Sequence, residues 1–239
     1  MAAFVLVHGG WGGGAWWRKL VPLLEAEGHR VFTPDLLGLG EDRTPVADLS
    51  LAAWAVSIAG GIYAVGALVT LVGHGSGGLV ISEVAERIPD KIASLVYLAG
   101  FLLRDGEALG DVVRNDAHSL AYSNLLIDVV GDTWTLRKEA IRPALFGLCS
   151  ESDVEFAVDT WRDEPLFSLR TPIHVTPERF GSVERHYIEC AQDAAVSLAM
   201  QRKMHEAMPC ASITTLDSDH SPFFSMPDEL ARVLHGLGT

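Results

Sequence analysis

Positive charge is scarce in this chain. Eighteen Lys and Arg stand against 31 Asp and Glu in 239 residues, a formal net charge of -13. Nucleic acid and anionic membrane surfaces both recruit basic faces, so neither is an expected partner. Cysteine is scarcer still. Cys149, Cys190 and Cys210 form an odd set without metal-type spacing and read as free thiols of a reduced, cytoplasmic protein. No apolar run reaches the roughly 18 residues that span a bilayer, and "MAAFVLVHGG" lacks the basic start of a signal peptide. Internal repeats and low-complexity tracts are missing. No His, Asp and Glu cluster has ligand spacing, so no metal is expected.

What the chain does have is alternation. Short apolar runs ending in glycine or aspartate, "AAFVLVHGG", "RVFTPD", "ALVTLVG" and "IASLVYLAG", are separated by segments of helical spacing. These are "AWWRKLVPLLEAEGH" (with Gly28 at its C-terminal end), "SLAAWAVSIAGGIYAVG" and "GGLVISEVAERIP". The pattern resumes with "ERHYIEC", "AAVSLAMQRKMHEAM", "ASITTLD" and "PDELARVLHGLG". It predicts an α/β fold with a mostly parallel, doubly wound sheet. Residues 103–169 interrupt it with mainly helical character and little strand. They are expected to form a cap inserted between two strands of a core made of 1–102 and 170–239. In such sheets ligands bind beyond the carboxyl ends of the strands, under a cap of this kind.

Two glycine-rich turns fall at that edge. "HGGWGGGA" carries five glycines in six residues between a strand and a helix. Gly10, Gly12 and Ala15 fit G-x-G-x-x-A, with Asp35 about 20 residues on, which is a dinucleotide pattern. The rival reading is an oxyanion turn, where glycine lets the backbone approach a substrate oxygen. The second turn is "LVGHGSGGLVI", residues 71–81. A G-x-S-x-G nucleophile elbow centred on Ser76 fails, because its flanking positions are His74 and Gly78. Glycines fall correctly at Gly73 and Gly77, but the residue between them is Gly75.

Taken in order, "FVLVHGGWGGGAWWRKLVPLLEAEGHRVFTPDLLGLGEDR", "LVGHGSGGLVI", "CSESDV", "TPERFGSVERHYIECAQD" and "LDSDHSPFFSMPDELA" resemble the α/β-hydrolase superfamily. More narrowly, they resemble the branch of plant methyl esterases, hydroxynitrile lyases and bacterial esterase relatives. The resemblance implies an α/β-hydrolase fold, with His220 as the catalytic histidine and Asp193 as its acid. It also implies Gly10 and Ser76 as backbone N–H donors of an oxyanion hole. The nucleophilic serine of the family falls on Gly75. The competing role for Asp193, compatible with the first, is that of a loop acid or the N-cap of a helix that begins just after it.

With glycine at the tip, an acyl-enzyme has no hydroxyl to form on. A carboxylate-oriented imidazole opposite two N–H donors still suits cofactor-independent chemistry on a small or medium carbonyl compound, aromatic or polyketide-like. Elimination, dehydration, isomerisation, cyclisation and C–C lyase reactions all fit. One alternative is an esterase using Ser76 or a His-activated water, and another is a non-catalytic binding protein. Trp11, Trp134 and Phe146 are expected to shape the substrate pocket, with core packing of the cap as the competing role for Trp134, Phe146 and Trp161. His74 and His8 read as structural. The expected partner is a small molecule, the cofactor none, and the assembly a monomer or homodimer.

Overall fold

A computed structural model describes residues 1–238. The chain starts with β1 (Ala3–Val7), a 3-10 turn (Gly14–Lys19), α1 (Val21–Ala26) and β2 (Arg30–Phe32). Next come α2 (Leu51–Val65), β3 (Val69–His74), α3 (Gly77–Arg87) and β4 (Ile92–Leu98). An insertion follows, with α4 (Leu109–Val113), α5 (Leu120–Ser123), β5 (Leu125–Asp128), β6 (Thr133–Leu136), α6 (Lys138–Leu145), α7 (Glu151–Asp159), β7 (Glu164–Pro165) and α8 (Phe167–Arg170). The chain closes with β8 (Arg185–Cys190), α9 (Leu198–Ala207), β9 (Ser212–Leu216), α10 (Pro222–Ser225) and α11 (Pro227–Leu237).

The main sheet runs β2-β1-β3-β4-β8-β9, and every neighbouring pair is parallel. β1 and β3 are buried along their whole length, as strands covered by helices on both faces must be. The chain leaves β1 toward β2 on one side and leaves β3 toward β4 on the other. The turns after β1 and β3 therefore stand next to each other at the carboxyl edge, in the crevice where open sheets bind ligands. Local chemistry sets the helix limits. Ser50 caps α2 by accepting from the Ala53 N–H, and Gly66 ends it in the left-handed region at φ 72°.

The inserted cap differs from expectation in one respect. Besides five helices it carries an antiparallel three-stranded sheet, β5-β6-β7. These strands have four, four and two residues, and β5 is largely exposed. They therefore lack the buried apolar run that betrays a core strand. The cap is tied to the core by Arg18 and Lys19, which share the buried carboxylate of Asp153 at 2.8 and 2.6 Å. Asp116 adds a second tie, bonding both the N–H and the hydroxyl of Ser197. Among the described residues no helix is long and apolar enough to cross a membrane.

Candidate active site

Beyond the ends of β8 and β9, two loops bring together Asp193 and His220, both buried. Asp193 Oδ2 lies 2.7 Å from His220 Nδ1. An ionised carboxylate only accepts, so Nδ1 carries the proton and Nε2 is left as a free base. The carboxylate is fully engaged. Its Oδ1 accepts from the N–H groups of Ala195 and Val196, and its Oδ2 also accepts from the Gln201 amide at 3.2 Å. The role of Asp193 as a helix cap is corrected here. The N-cap of α9 is Ser197, which accepts from Met200 N–H, while Asp193 closes a turn four residues earlier. That spacing leaves its second oxygen free for the imidazole.

Gly75 forms the turn between β3 and α3, with φ 51°. A Cβ built on it would lie 3.3 Å from His220 Nε2. Ser76 follows in ordinary right-handed geometry, φ -66°, as the N-cap of α3. The turn is tightly packed. A Cβ on Gly73 would meet the Gly77 carbonyl at 2.8 Å, and one on Gly77 the His8 carbonyl at 2.7 Å. These contacts account for glycine two residues to either side of position 75. His74 donates its Nε2–H to the His220 carbonyl at 2.8 Å, and burial first, then the neighbouring His220 imidazole, holds its pKa well below the ordinary histidine range.

A cavity opens above this turn. Gly10, Gly75, Ser76, His74 and His220 form its polar floor, and the cap supplies a mostly apolar roof. The N–H groups of Gly10 and Ser76 make no backbone hydrogen bond among the described residues. Trp11, also on the lining, adopts φ 65°, which a bulky residue accepts only where its surroundings hold it. They do: its ring stacks on Trp161 at 5.0 Å, its indole N–H donates to the Trp134 carbonyl, and its carbonyl accepts from Arg162 N–H.

One lining residue escaped the sequence reading. Glu164 is 0% exposed, and neither carboxyl oxygen has a hydrogen-bond partner in the protein. It pairs with Trp134 across β6 and β7, so both side chains point into the cavity. Its Oε2 rests on Gly10, where a Cβ would come within 1.9 Å. The Ser76 hydroxyl, also unpartnered, stands 3.5 Å from that same point. The Ser168 hydroxyl is committed elsewhere, donating to the Pro165 carbonyl and accepting from the Trp134 indole. Burial therefore pushes the Glu164 carboxyl up to about 7, with the Ser168 and Ser76 hydroxyls opposing the rise. In sequence Glu164 sits in "WRDEPLF", which reads as an ordinary solvated charge run. Only the pairing of β7 with β6 turns it inward.

The remaining expected residues separate cleanly. Trp134 lines the cavity, but Phe146 does not. Phe146 is fully buried against Trp16 and Phe224, and its neighbour Leu145 takes the lining position. His8 is structural, accepting the Leu36 N–H on Nε2 and reaching the Gly9 carbonyl through Nδ1. Asp35 accepts from the N–H groups of Gly14 and Glu41, so the carboxylate of the dinucleotide pattern is spent on holding two loops together. Asp219, beside His220, accepts from Leu148 N–H and the Ser225 hydroxyl and does not orient the imidazole. Among the described residues no group of three or more His, Cys, Asp or Glu is placed to hold a metal.

Comparison with known proteins adds to this geometry. The Alpha/beta hydrolase family model matches residues 4–233. A chloroplastic protein of Arabidopsis thaliana named methylesterase 11 is 32% identical over 251 residues. The match covers 97% of this chain and 62% of that relative, so the chain spans under two thirds of its length. A pyrethroid hydrolase of Sphingobium wenxiniae is 30% identical over 255 residues, covering 96% of this chain and 85% of the relative. The crystal structure of polyneuridine aldehyde esterase superposes with a TM-score of 0.88 at 25% identity, covering 100% of both chains.

Proposed function

Because the chain belongs to the α/β-hydrolase family, in the branch of the plant methylesterases and bacterial pyrethroid hydrolases, we propose that it is a cofactor-independent enzyme acting on a small or medium carbonyl compound without an acyl-enzyme. One observation carries the reading: the residue facing His220 Nε2 from the apex of the turn is Gly75. His220 is the general base, Asp193 its orienter, and the amides of Gly10 and Ser76 the oxyanion donors.

The named activities of the relatives favour an ester. A water held where a serine hydroxyl would stand gives its proton to Nε2 as its oxygen bonds to the carbonyl carbon. The carbonyl pair moves to the oxygen and is held by the two N–H groups. Collapse expels the alcohol, which takes the proton back from the imidazolium. The mostly apolar roof, with Trp11 and Trp134, suits an aromatic or other flat substrate.

A second reading uses the same base and donors, with the Glu164 carboxyl in the same cavity. Here His220 removes a proton beside the carbonyl, and the reaction is an elimination, dehydration, isomerisation, cyclisation or C–C cleavage.

Gly75→Ser beside the parent tests the common frame. With a fluorophosphonate probe and p-nitrophenyl esters, the variant is expected to be labelled at position 75 and the parent not at all. His220→Ala is expected to lower parental turnover about 10²–10⁴-fold. Labelling of the parent at Ser76, or unchanged turnover in His220→Ala, would overturn the proposal. Binding of substrate-like esters with no turnover in any variant would leave a binding protein instead.

A further inference from the structure

We infer that Glu164 in its neutral form is a third donor of the oxyanion site, placing its carboxyl O–H on the substrate oxygen beside the amides of Gly10 and Ser76. This deepens the reading above and rests on it. The carboxyl lies on the Cα of Gly10, next to the Ser76 hydroxyl, at the two residues assigned to hold developing negative charge. A larger residue at position 10 would exclude it, so the glycine that opens the hole also admits the acid.

Satisfaction is the second strand. A buried carboxyl without partners costs free energy unless something bonds it. Asp193, behind His220, accepts from four donors, whereas neither oxygen of Glu164 makes a hydrogen bond within the protein. Its side chain lines the cavity beside Gly10, Ser76 and His220. A neutral carboxylic acid in an apolar site is a strong oxyanion donor, while an ionised one would repel the same charge. Burial supplies the required state, since the group holds its proton up to about pH 7.

The donor keeps its proton throughout, so it serves water attack and proton abstraction equally. In both, charge gathers on the carbonyl oxygen and then leaves it.

The other titratable groups on the cavity wall are His74 of β3, Tyr122 of α5 and His220, with Asp193 behind His220. His74 is kept neutral by burial. His220 is the one rival for a proton linked to anion binding. Just before the strand, Asp163 is exposed and Arg162 half-buried, and both lie outside the cavity lining.

The test uses pentafluorophenolate, an aromatic oxyanion that stays charged across neutral pH, with binding followed by quenching of the indoles that line the cavity. Wild-type affinity is expected to fall about tenfold per pH unit above about pH 7, where Glu164 must first take up a proton. Glu164→Gln, which keeps a donor but not a titration, is expected to bind with no such fall. His220→Ala is expected to retain it. Calorimetry of the wild type in two buffers reads the same event without any variant, as uptake of close to one proton per anion bound. Flat wild-type affinity, no proton uptake, or a fall lost in His220→Ala but kept in Glu164→Gln would overturn the inference. None of these measurements needs turnover. Absence of the pH effect in a wild type whose turnover depends on His220 removes this inference alone, and unchanged turnover in His220→Ala removes the proposed function.

Discussion

Asp193, behind His220 at the edge of the sheet, and Glu164, on the cavity wall in the cap, are buried carboxyls with opposite surroundings. Asp193 is held by two backbone amides, a glutamine amide and an imidazole within 2.7 to 3.2 Å. Neither oxygen of Glu164 makes a hydrogen bond within the protein, and only the nearby Ser168 and Ser76 hydroxyls oppose its burial. Burial alone therefore says little about a carboxylate. What matters is whether the fold built a shell around it. A shelled carboxylate is a fixed charge that orients its neighbour. An unshelled one is a proton store, and it is left open toward whatever enters.

The largest effect on this contrast comes from removing the shelled member. Asp193→Ala leaves the amides of Ala195 and Val196 and the Gln201 side chain without their acceptor and frees the His220 ring. Breaking such a buried arrangement costs about 3–5 kcal/mol. Urea unfolding is expected to show that loss, and turnover is expected to fall with it. A variant as stable as the parent would mean that the shell does not depend on the carboxylate.

Removing the unshelled member is expected to do the reverse. The Glu164 carboxyl has its folded pKa raised from the ordinary 4.5 to about 7. Between those values the folded chain holds a proton that the unfolded chain has lost. Stability linked to this group is thus complete below about pH 4.5, declines as pH rises, and is gone above about 7. At about 1.4 kcal/mol per pH unit the decline totals about 3 kcal/mol, an order-of-magnitude figure. Glu164→Gln carries no ionisation, so its advantage over the parent is expected to grow across that window and level off above it. Unfolding curves at a series of pH values check this, and parallel curves for the two proteins would contradict it.

How much of this contrast was legible in the sequence follows from where each element draws its stability. The sheet strands announce themselves because both faces are buried and the apolar runs are unbroken, as in "AFVLV" and "VTLVGH". His220 and Asp193 were readable through the resemblance, since each follows a strand of the sheet in a matched segment. The cap resists this approach. β7 has two residues, and its partner β6 is 28 residues away in the chain, measured from Leu136 to Glu164. No local periodicity survives at that length, so Glu164 shows only as a charge among charges. Phe146 failed for a related reason. An aromatic in the cap meets either the cavity or the core, and one residue of helix rotation separates it from Leu145, which took the cavity.

A steric test joins the two regions. In Gly10→Ala the new methyl would stand 1.9 Å from Glu164 Oε2, and the obstacle is the end of a side chain, which is free to turn aside. Overpacking of this kind costs about 1–3 kcal/mol. In Glu164→Ala the obstacle is absent, so the same substitution in that background is expected to cost clearly less. A double-mutant cycle in urea reads the difference. Additive losses would place the carboxyl away from Gly10.

The smallest expected effect concerns the hydrogen bond that keeps Ser168 from Glu164. The Trp134 indole N–H donates to the Ser168 hydroxyl at 2.9 Å, and that hydroxyl donates in turn to the Pro165 carbonyl. Trp134→Phe deletes the first bond, a loss of about 1 kcal/mol. It does not release the hydroxyl proton, which the Pro165 carbonyl still accepts. The Glu164 carboxyl should therefore gain no donor and keep its raised pKa. The pH dependence of stability is expected to match that of the parent, displaced downward by a constant amount. If Trp134→Phe flattened that dependence, Ser168 would have turned to the carboxylate. The missing shell around Glu164 would then be a matter of one side-chain rotation rather than of the architecture of the cap.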